Sequence, residues 1–90
     1  MARFALKTTV KRIEKMEKYF DVLTEGAKAS PPIINKKILK KLTDYYDSGQ
    51  WLKDYEADEK GLLPTNLKRG VLSQDGIFNL LSDIQDAVDE

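Results

Sequence analysis

The stretch WLKDYEADEKGLLPTNLKRGVLSQDGIFNLL, residues 51–81, decides the fold that the sequence predicts. It contains the only Trp of the chain, an acidic cluster, a Pro-marked loop and a sharp helix start. The Ser73 hydroxyl can cap the helix that follows, because it can accept hydrogen bonds from amides of the first turn. Leu72 and Ile77 flank this cap at the spacing of a hydrophobic staple. We therefore expect a long loop and then a helix over residues 74–88.

A short helix precedes that loop. Ser48 can cap this helix and Gly61 can end it, which places it over residues 50–60. Its expected inner residues are Trp51, Leu52 and Tyr55.

Two further helices are expected upstream, over residues 8–25 and 31–46. Thr8 or Thr9 can cap the first and Gly26 can end it. Ser30 followed by Pro31 reads as the start of the second. Apolar residues at helical spacing predict the buried faces of these helices and of the last one. They are Val10, Ile13, Met16 or Phe20, and Leu23 on the first; Ile34, Ile38, Leu42 and Tyr45, broadened by Leu39 and Tyr46, on the second; and Ile77, Leu80 or Leu81, Ile84 and Val88, extended by Phe78, on the last.

These patterns predict an all-α fold. We expect residues 1–90 to form a single domain, a bundle of three long helices and one short helix, with a long loop before the last helix. No alternating strand pattern and no hairpin turn between two such patterns occurs. Ninety residues suffice for one small hydrophobic core.

The composition makes an enzyme unexpected. The chain has no Cys and no His, so it lacks a thiolate nucleophile and the commonest general base and metal ligand. Asp54, Glu56 and Asp58 begin like a calcium loop, but Glu59 stands where Gly is needed and Thr65 where Glu is needed. We expect no catalytic residue, no metal and no cofactor. We also expect a cytoplasmic protein, because no apolar run has the length of a signal peptide or a membrane span.

Charge is divided unevenly along the chain. Residues 1–45 contain 11 Lys and Arg against 5 Asp and Glu (+6), and residues 46–90 contain 4 against 10 (−6). The two halves can neutralise each other within the fold. Alternatively, each half faces a partner of opposite charge, and head-to-tail self-association would use both. A homodimer is one such arrangement.

Several cations are candidate contacts for a partner or an anion. The second helix contains Lys36, Lys37, Lys40 and Lys41, whose like charges four residues apart oppose helix formation unless something neutralises them. A second lysine row, on the first helix, is Lys7, Lys11, Lys15 and Lys18. Lys68 and Arg69 precede a helix N-terminus and could bind an anion there. Alternatively, Arg69 folds back on Asp54, Asp58 or Glu59 as a structural tie.

Four aromatic residues, Tyr45, Tyr46, Trp51 and Tyr55, fall close together. At helical spacing such a cluster is typical of a core, although clustered aromatic residues also form partner surfaces. The residues that we expect to hold the structure together are Trp51, Asp54, Tyr55, Asp58, Arg69 and Ser73.

The second half of the chain resembles a family of small bacterial proteins, the domain of unknown function 4298. The likeness spans residues 44–82 and is carried by Tyr45-Tyr46, Trp51, Asp54-Tyr55, Asp58-Glu59, Gly61, Leu63-Pro64, the run Leu67–Ser73 and Asp75. It implies a small helical protein of the bacterial cytoplasm and implies no activity.

The sequence therefore favours a non-enzymatic protein–protein interaction module. The alternative is a protein that binds nucleic acid or another anion through the lysine-rich faces of the first two helices, which the zero net charge makes less attractive.

Overall fold

Four helices follow one another along the chain: α1 (Ala2–Lys28), α2 (Lys36–Asp47), α3 (Gln50–Glu59) and α4 (Gln74–Asp89). They occur in a computed structural model that describes the backbone of residues 2–89 and the side chains of residues 7–86. No strand occurs in the described backbone, so the all-α prediction is confirmed. The loop over residues 60–73 separates α3 from α4.

Helix α1 is longer than predicted at both ends. It begins before Thr8 and runs through Gly26, which was expected to stop it. The Gly26 carbonyl accepts hydrogen bonds from the amides of Ala29 (3.2 Å) and Ile33 (3.0 Å). The carbonyl of Ile33 packs directly on the Gly26 Cα, where any Cβ would overlap it. Glycine is thus needed for the close approach of the following segment rather than for a helix end.

Helix α2 begins five residues later than predicted. Asn35, not Ser30, caps it: the Asn35 Oδ1 accepts hydrogen bonds from the amides of Lys37 (3.0 Å) and Ile38 (3.1 Å). The Ser30–Pro31 peptide bond is cis. A helix that starts at Pro31 would require helical backbone immediately before Pro32, which proline ring sterics disfavour. Asn35 is the first residue past the two prolines that offers a side-chain acceptor.

The other two helices begin where predicted, although the cap of α3 differs in detail. Gly49, with a φ of 90°, occupies its N-cap position. The neighbouring Ser48 hydroxyl accepts a hydrogen bond from the amide of Gln50 at 3.3 Å. At the start of α4, the Ser73 hydroxyl accepts a hydrogen bond from the amide of Gly76 at 3.2 Å. Leu72 and Ile77, on either side of this cap, are both buried.

The core is built around α1, which packs against α2 and α4, while α2 also packs against α3. Eleven apolar side chains in the described part of the chain are buried: Ile13, Leu23, Leu42, Tyr45, Trp51, Leu63, Val71, Leu72, Ile77, Leu80 and Ile84. Two residues expected inside are exposed instead, Leu52 by 52% and Phe78 by 59%. The side chain of Val88 lies outside the described residues. None of the described helices is sufficiently long and apolar to cross a bilayer.

Replacing Gly26 by alanine is expected to lower the free energy of unfolding by about 1–3 kcal/mol, because the new Cβ would overlap the Ile33 carbonyl. Denaturant titration measures this change. Glu25→Ala, at the adjacent exposed position, is the control and should shift stability by no more than about 0.5 kcal/mol. Equal effects of the two substitutions would show that the close approach is unimportant.

Candidate functional site

Asp54 is a buried carboxylate at the junction of three helices. It lies three residues after Trp51, so it shares the inner face of α3, and only 1% of it is exposed. Arg12 on α1 binds it in a bidentate manner, with Nε 3.0 Å from Oδ2 and Nη2 2.7 Å from Oδ1. The forked guanidinium suits this geometry, which makes arginine the favoured partner for a buried carboxylate.

Two more donors complete the surroundings of this carboxylate. The Tyr45 hydroxyl donates to Oδ2 at 2.6 Å, and Gln50 Nε2 donates to Oδ1 at 3.2 Å. Burial, followed by the hydrogen bond to Asp54, raises the pKa of the Tyr45 hydroxyl. The hydrogen bond to Asp54 likewise raises the pKa of the Arg12 guanidinium. We call Arg12, Tyr45, Gln50 and Asp54 the Asp54 cluster. Its carboxylate is fully engaged within the protein.

A second buried carboxylate holds the loop before α4. Glu17 on α1 accepts a hydrogen bond from the Val71 amide at 2.8 Å. On the other side of the same residue, Trp51 Nε1 donates to the Val71 carbonyl at 2.9 Å. The neighbouring Gly70 permits this arrangement, because a Cβ there would lie 2.8 Å from Glu17 Oε2. One loop residue is therefore bonded to both α1 and α3.

The aromatic cluster lies mainly inside the protein. Trp51 and Tyr45 are buried, whereas Tyr46 and Tyr55 are half-buried. The Trp51 and Tyr55 rings stack with centroids 5.1 Å apart. The Tyr46 ring meets Trp51 at an angle of 54° and a centroid distance of 5.2 Å. Such tilted and offset pairs are favourable aromatic geometries.

Arg69 is bound within the loop and to α3. Its Nε donates to Asp58 Oδ1 at 2.7 Å, which joins the loop to α3. Its remaining nitrogens donate to three carbonyls, those of Pro64 (2.6 Å), Thr65 (3.2 Å) and Leu67 (2.7 Å). The Asp54 carboxylate, another expected partner, is bound to Arg12 instead. Of the two cations before α4, Lys68 remains exposed.

The lysines of α2 divide into two groups. Lys40 forms an exposed ion pair with Asp44 at 2.9 Å, and the Lys41 ammonium lies 5.7 Å from the centroid of the Tyr19 ring. Lys36 and Lys37 are exposed, and no described side chain forms a hydrogen bond or ion pair with their ammonium groups. The acidic half of the chain therefore leaves these two ammonium groups to solvent.

An apolar groove, which we call the α2–α4 groove, lies between α2 and α4. Its volume is about 310 Å³. The apolar side chains that line it are Leu39, Tyr46, Phe78, Leu81 and Ile84. The polar residues that line it are Thr43, Asp47, Ser82 and Gln85. Phe78 is the most exposed of the aliphatic and aromatic side chains here, at 59%.

Sequence reasoning missed three residues that the structure makes prominent. Arg12 follows Lys11 of the lysine row on α1 and has no role in the sequence-based prediction, although it binds the interior carboxylate. Glu17 falls four residues after buried Ile13, so its place in an apolar stripe was a detectable signal of a buried polar role. Phe78 was assigned to the core because the apolar residues of α4 cover more than one face.

The acidic run of α3 does not converge on one point. Asp54 and Asp58 lie one helical turn apart, but each carboxylate is bound to a different arginine, Asp54 to Arg12 and Asp58 to Arg69. Among the described residues, no group of three or more acidic side chains is arranged to hold a metal ion.

Asp54→Ala is expected to lower the free energy of unfolding by about 3 kcal/mol, because it leaves Arg12 and Tyr45 without their buried acceptor. Asp44→Ala removes a carboxylate from an exposed ion pair and serves as the control, with an expected change below about 1 kcal/mol. Urea denaturation of both variants gives the comparison. Similar losses would contradict a central role for the Asp54 cluster.

The variant Tyr45→Phe tests the Asp54 cluster through the pH dependence of protein stability. Below about pH 9 the wild type should be more stable than the variant by about 1.5–3 kcal/mol, the worth of a hydrogen bond to a charged group. The raised pKa means that folded Tyr45 keeps its proton while the unfolded chain loses it near pH 10. The advantage should therefore shrink as pH rises above about 10. Urea titrations at several pH values measure it, and a constant difference would refute this account.

Comparison with known proteins identifies a family. The family model "Domain of unknown function (DUF4298)" matches residues 13–90, which extends the resemblance of residues 44–82 through most of α1. Comparisons with curated proteins and with solved structures found no match. The matched segment includes Glu17, Asp54 and Val71, and Arg12 immediately precedes it. Since this match covers most of the chain, the protein belongs to the DUF4298 family.

Proposed function

We propose that this protein is a small non-enzymatic module of the bacterial cytoplasm that binds another protein through the α2–α4 groove. The observation that carries the proposal is the exposure of Phe78 beside the other apolar residues of that groove. Contiguous apolar surface on a small domain is typical of an interaction site. Aromatic residues in such a depression are the usual anchors of protein interfaces.

Helical proteins commonly present a groove of this kind to a partner helix. An amphipathic helix places apolar anchors into a groove between two helices, and polar residues on the rim set its orientation. The α2–α4 groove combines apolar side chains with four polar residues, Thr43, Asp47, Ser82 and Gln85. Its chemistry suits a peptide surface better than a small polar substrate.

The non-enzymatic part of the proposal is supported by the state of the buried acids. Asp54 receives four hydrogen bonds from protein donors, and Glu17 receives one from the Val71 amide. A general base must reach the proton that it removes. Asp54 is instead committed to holding helices together.

Anion binding is the second candidate, and one observation favours it. Lys15 on α1 and Lys41 on α2 line the same shallow depression beside Tyr19. Two cations next to an aromatic ring can bind a phosphate backbone and stack a base. Asp44 lines the same depression and reduces its positive charge, so we rank this candidate below protein binding.

Phe78→Asp is expected to abolish retention of a binding protein from a lysate of the native host, because a charge replaces the apolar anchor. Its melting temperature should remain close to that of the wild type, since the side chain is largely exposed. Leu52→Asp is the matched control, because Leu52 is 52% exposed on α3, away from the groove. That variant should still retain the partner.

Equal retention by the two variants would contradict binding through the groove. In that case a measurement of oligonucleotide binding tests the second candidate function, anion binding. Salt-sensitive binding that is lost in the variant Lys15→Glu/Lys41→Glu would support an anion-binding function.

A further inference from the structure

A second cleft, which we call the Glu17 cleft, lies between α1 and the loop before α4. Its volume is about 380 Å³, within the range of small-molecule sites. We infer that it binds a small zwitterion with an aliphatic body, the chemistry of an aliphatic amino acid, whose ammonium group pairs with Glu17. No residue lines both this cleft and the α2–α4 groove, so the inference does not depend on the protein-binding function proposed above.

Glu17 is the residue that points to a cationic ligand. It lines the cleft although only 8% of it is exposed. One carboxylate oxygen, Oε1, accepts the hydrogen bond from the Val71 amide, whereas Oε2 accepts none from any described residue. A carboxylate oxygen that is largely withdrawn from water and has no donor is unfavourable. An ammonium group in the cleft supplies the missing donor together with the opposite charge.

The neighbours of Glu17 favour an organic cation over a metal ion. Glu14 and Asp21 line the same cleft and lie three residues before and four residues after Glu17, so they share one edge of α1. Like charges at this spacing repel one another, and a cation between them relieves the repulsion. Among the described residues, however, no three acidic groups are arranged to hold a metal ion. Acids spread along a helix edge suit an ammonium group, which donates three hydrogen bonds in different directions.

Two lysines add the opposite charge to the cleft. Lys18 on α1 and Lys68 on the loop both line it, and both are exposed. Neither forms an ion pair with the acids of the cleft or with any other described residue. The cleft therefore contains charges of both signs that are not paired with each other. A zwitterion complements them, with its ammonium group on Glu17 and its carboxylate near the two lysines.

The loop wall of the cleft is held in place by contacts within the protein. Arg69 donates hydrogen bonds to the carbonyls of Pro64 and Leu67, two residues that line the cleft. Together with Val10 of α1, these two side chains offer apolar surface to an aliphatic body. A site whose walls are already ordered loses less conformational entropy when a ligand binds.

Titration of the full chain with three matched compounds, followed by amide NMR spectroscopy, tests the inference. Leucine has both charges, isoamylamine lacks the carboxylate, and isocaproate lacks the ammonium group. Leucine should shift the resonance of the Val71 amide, which is bonded to Glu17, and the shift should saturate at millimolar concentrations or below. Isoamylamine should bind about threefold more weakly, because it loses only the pairing with exposed lysines. Isocaproate should cause no saturable shift.

Substitutions in the cleft identify the residues that bind each end of the ligand. Glu17→Gln keeps an oxygen that can accept the Val71 amide but removes the charge, so leucine should bind about tenfold more weakly or worse. Glu56→Gln makes the same change at an exposed position of α3 outside the cleft and should bind leucine as the wild type does. Lys18→Met/Lys68→Met should weaken the binding of leucine about threefold without weakening that of isoamylamine. Urea titration verifies that each variant is folded.

Three results would overturn the inference. The first is the absence of a saturable shift with both leucine and isoamylamine. The second is binding of isocaproate as tightly as isoamylamine, since binding would then not depend on the ammonium group. The third is undiminished leucine binding by folded Glu17→Gln, because the ligand would then lie elsewhere. Phe78→Asp should leave leucine binding intact, so a failure of this inference is distinguishable from a failure of protein binding through the α2–α4 groove.

Discussion

The carboxylate of Asp54 is the constraint on which the packing of the first three helices depends. An unpaired charge in this position would be strongly destabilising, because desolvation of an ion costs several kcal/mol. The protein offsets that cost with donors from α1, α2 and α3 itself, through Arg12, Tyr45 and Gln50. The requirement for all of these donors fixes how the three helices meet. Apolar packing alone would tolerate more than one arrangement.

The last helix is attached to this framework by a different route. Val71 forms one hydrogen bond with α1 through Glu17 and another with α3 through Trp51. Arg69 holds the rest of the loop by joining Asp58 to the loop carbonyls. The loop before α4 is therefore a tightly held connection. Its polar groups bind to α1 and α3. Most of the acidic and basic residues within residues 51–81 that could form a binding site are therefore engaged in contacts inside the protein.

The surface differs from the interior in having apolar and charged side chains without partners in the fold. The buried polar groups of the described side chains all have partners. What remains unmatched is the apolar α2–α4 groove, the exposed ring of Phe78 and the free lysines at the start of α2. The groove and the ring of Phe78 lie together, and they have the composition of an interface. The proposed binding of a protein partner follows from that arrangement.

The sequence alone determined the elements that depend on local chemistry. The cap at Ser73, the buried Leu72 and Ile77, the extent of α3 and the all-α class follow from hydrogen bonding and periodicity within a few residues. Prediction from neighbouring residues failed for the end of α1 and the start of α2, where other segments of the chain decide the backbone conformation. The Ile33 carbonyl packs against Gly26, so this glycine lies inside α1 and does not end it. The helix α2 begins only after the two prolines, where Asn35 caps it.

Only the tertiary structure decided which charged residues are structural and which are free. Arg12 and Lys11 are adjacent in sequence, but only Arg12 reaches a carboxylate 42 residues away. Whether Phe78 enters the core depends on how α4 rotates against α1, which no pattern within α4 specifies. Periodicity identifies an apolar stripe but not its partner. The pairing of buried charges across helices, and the face that packing leaves uncovered, are properties of the assembled bundle.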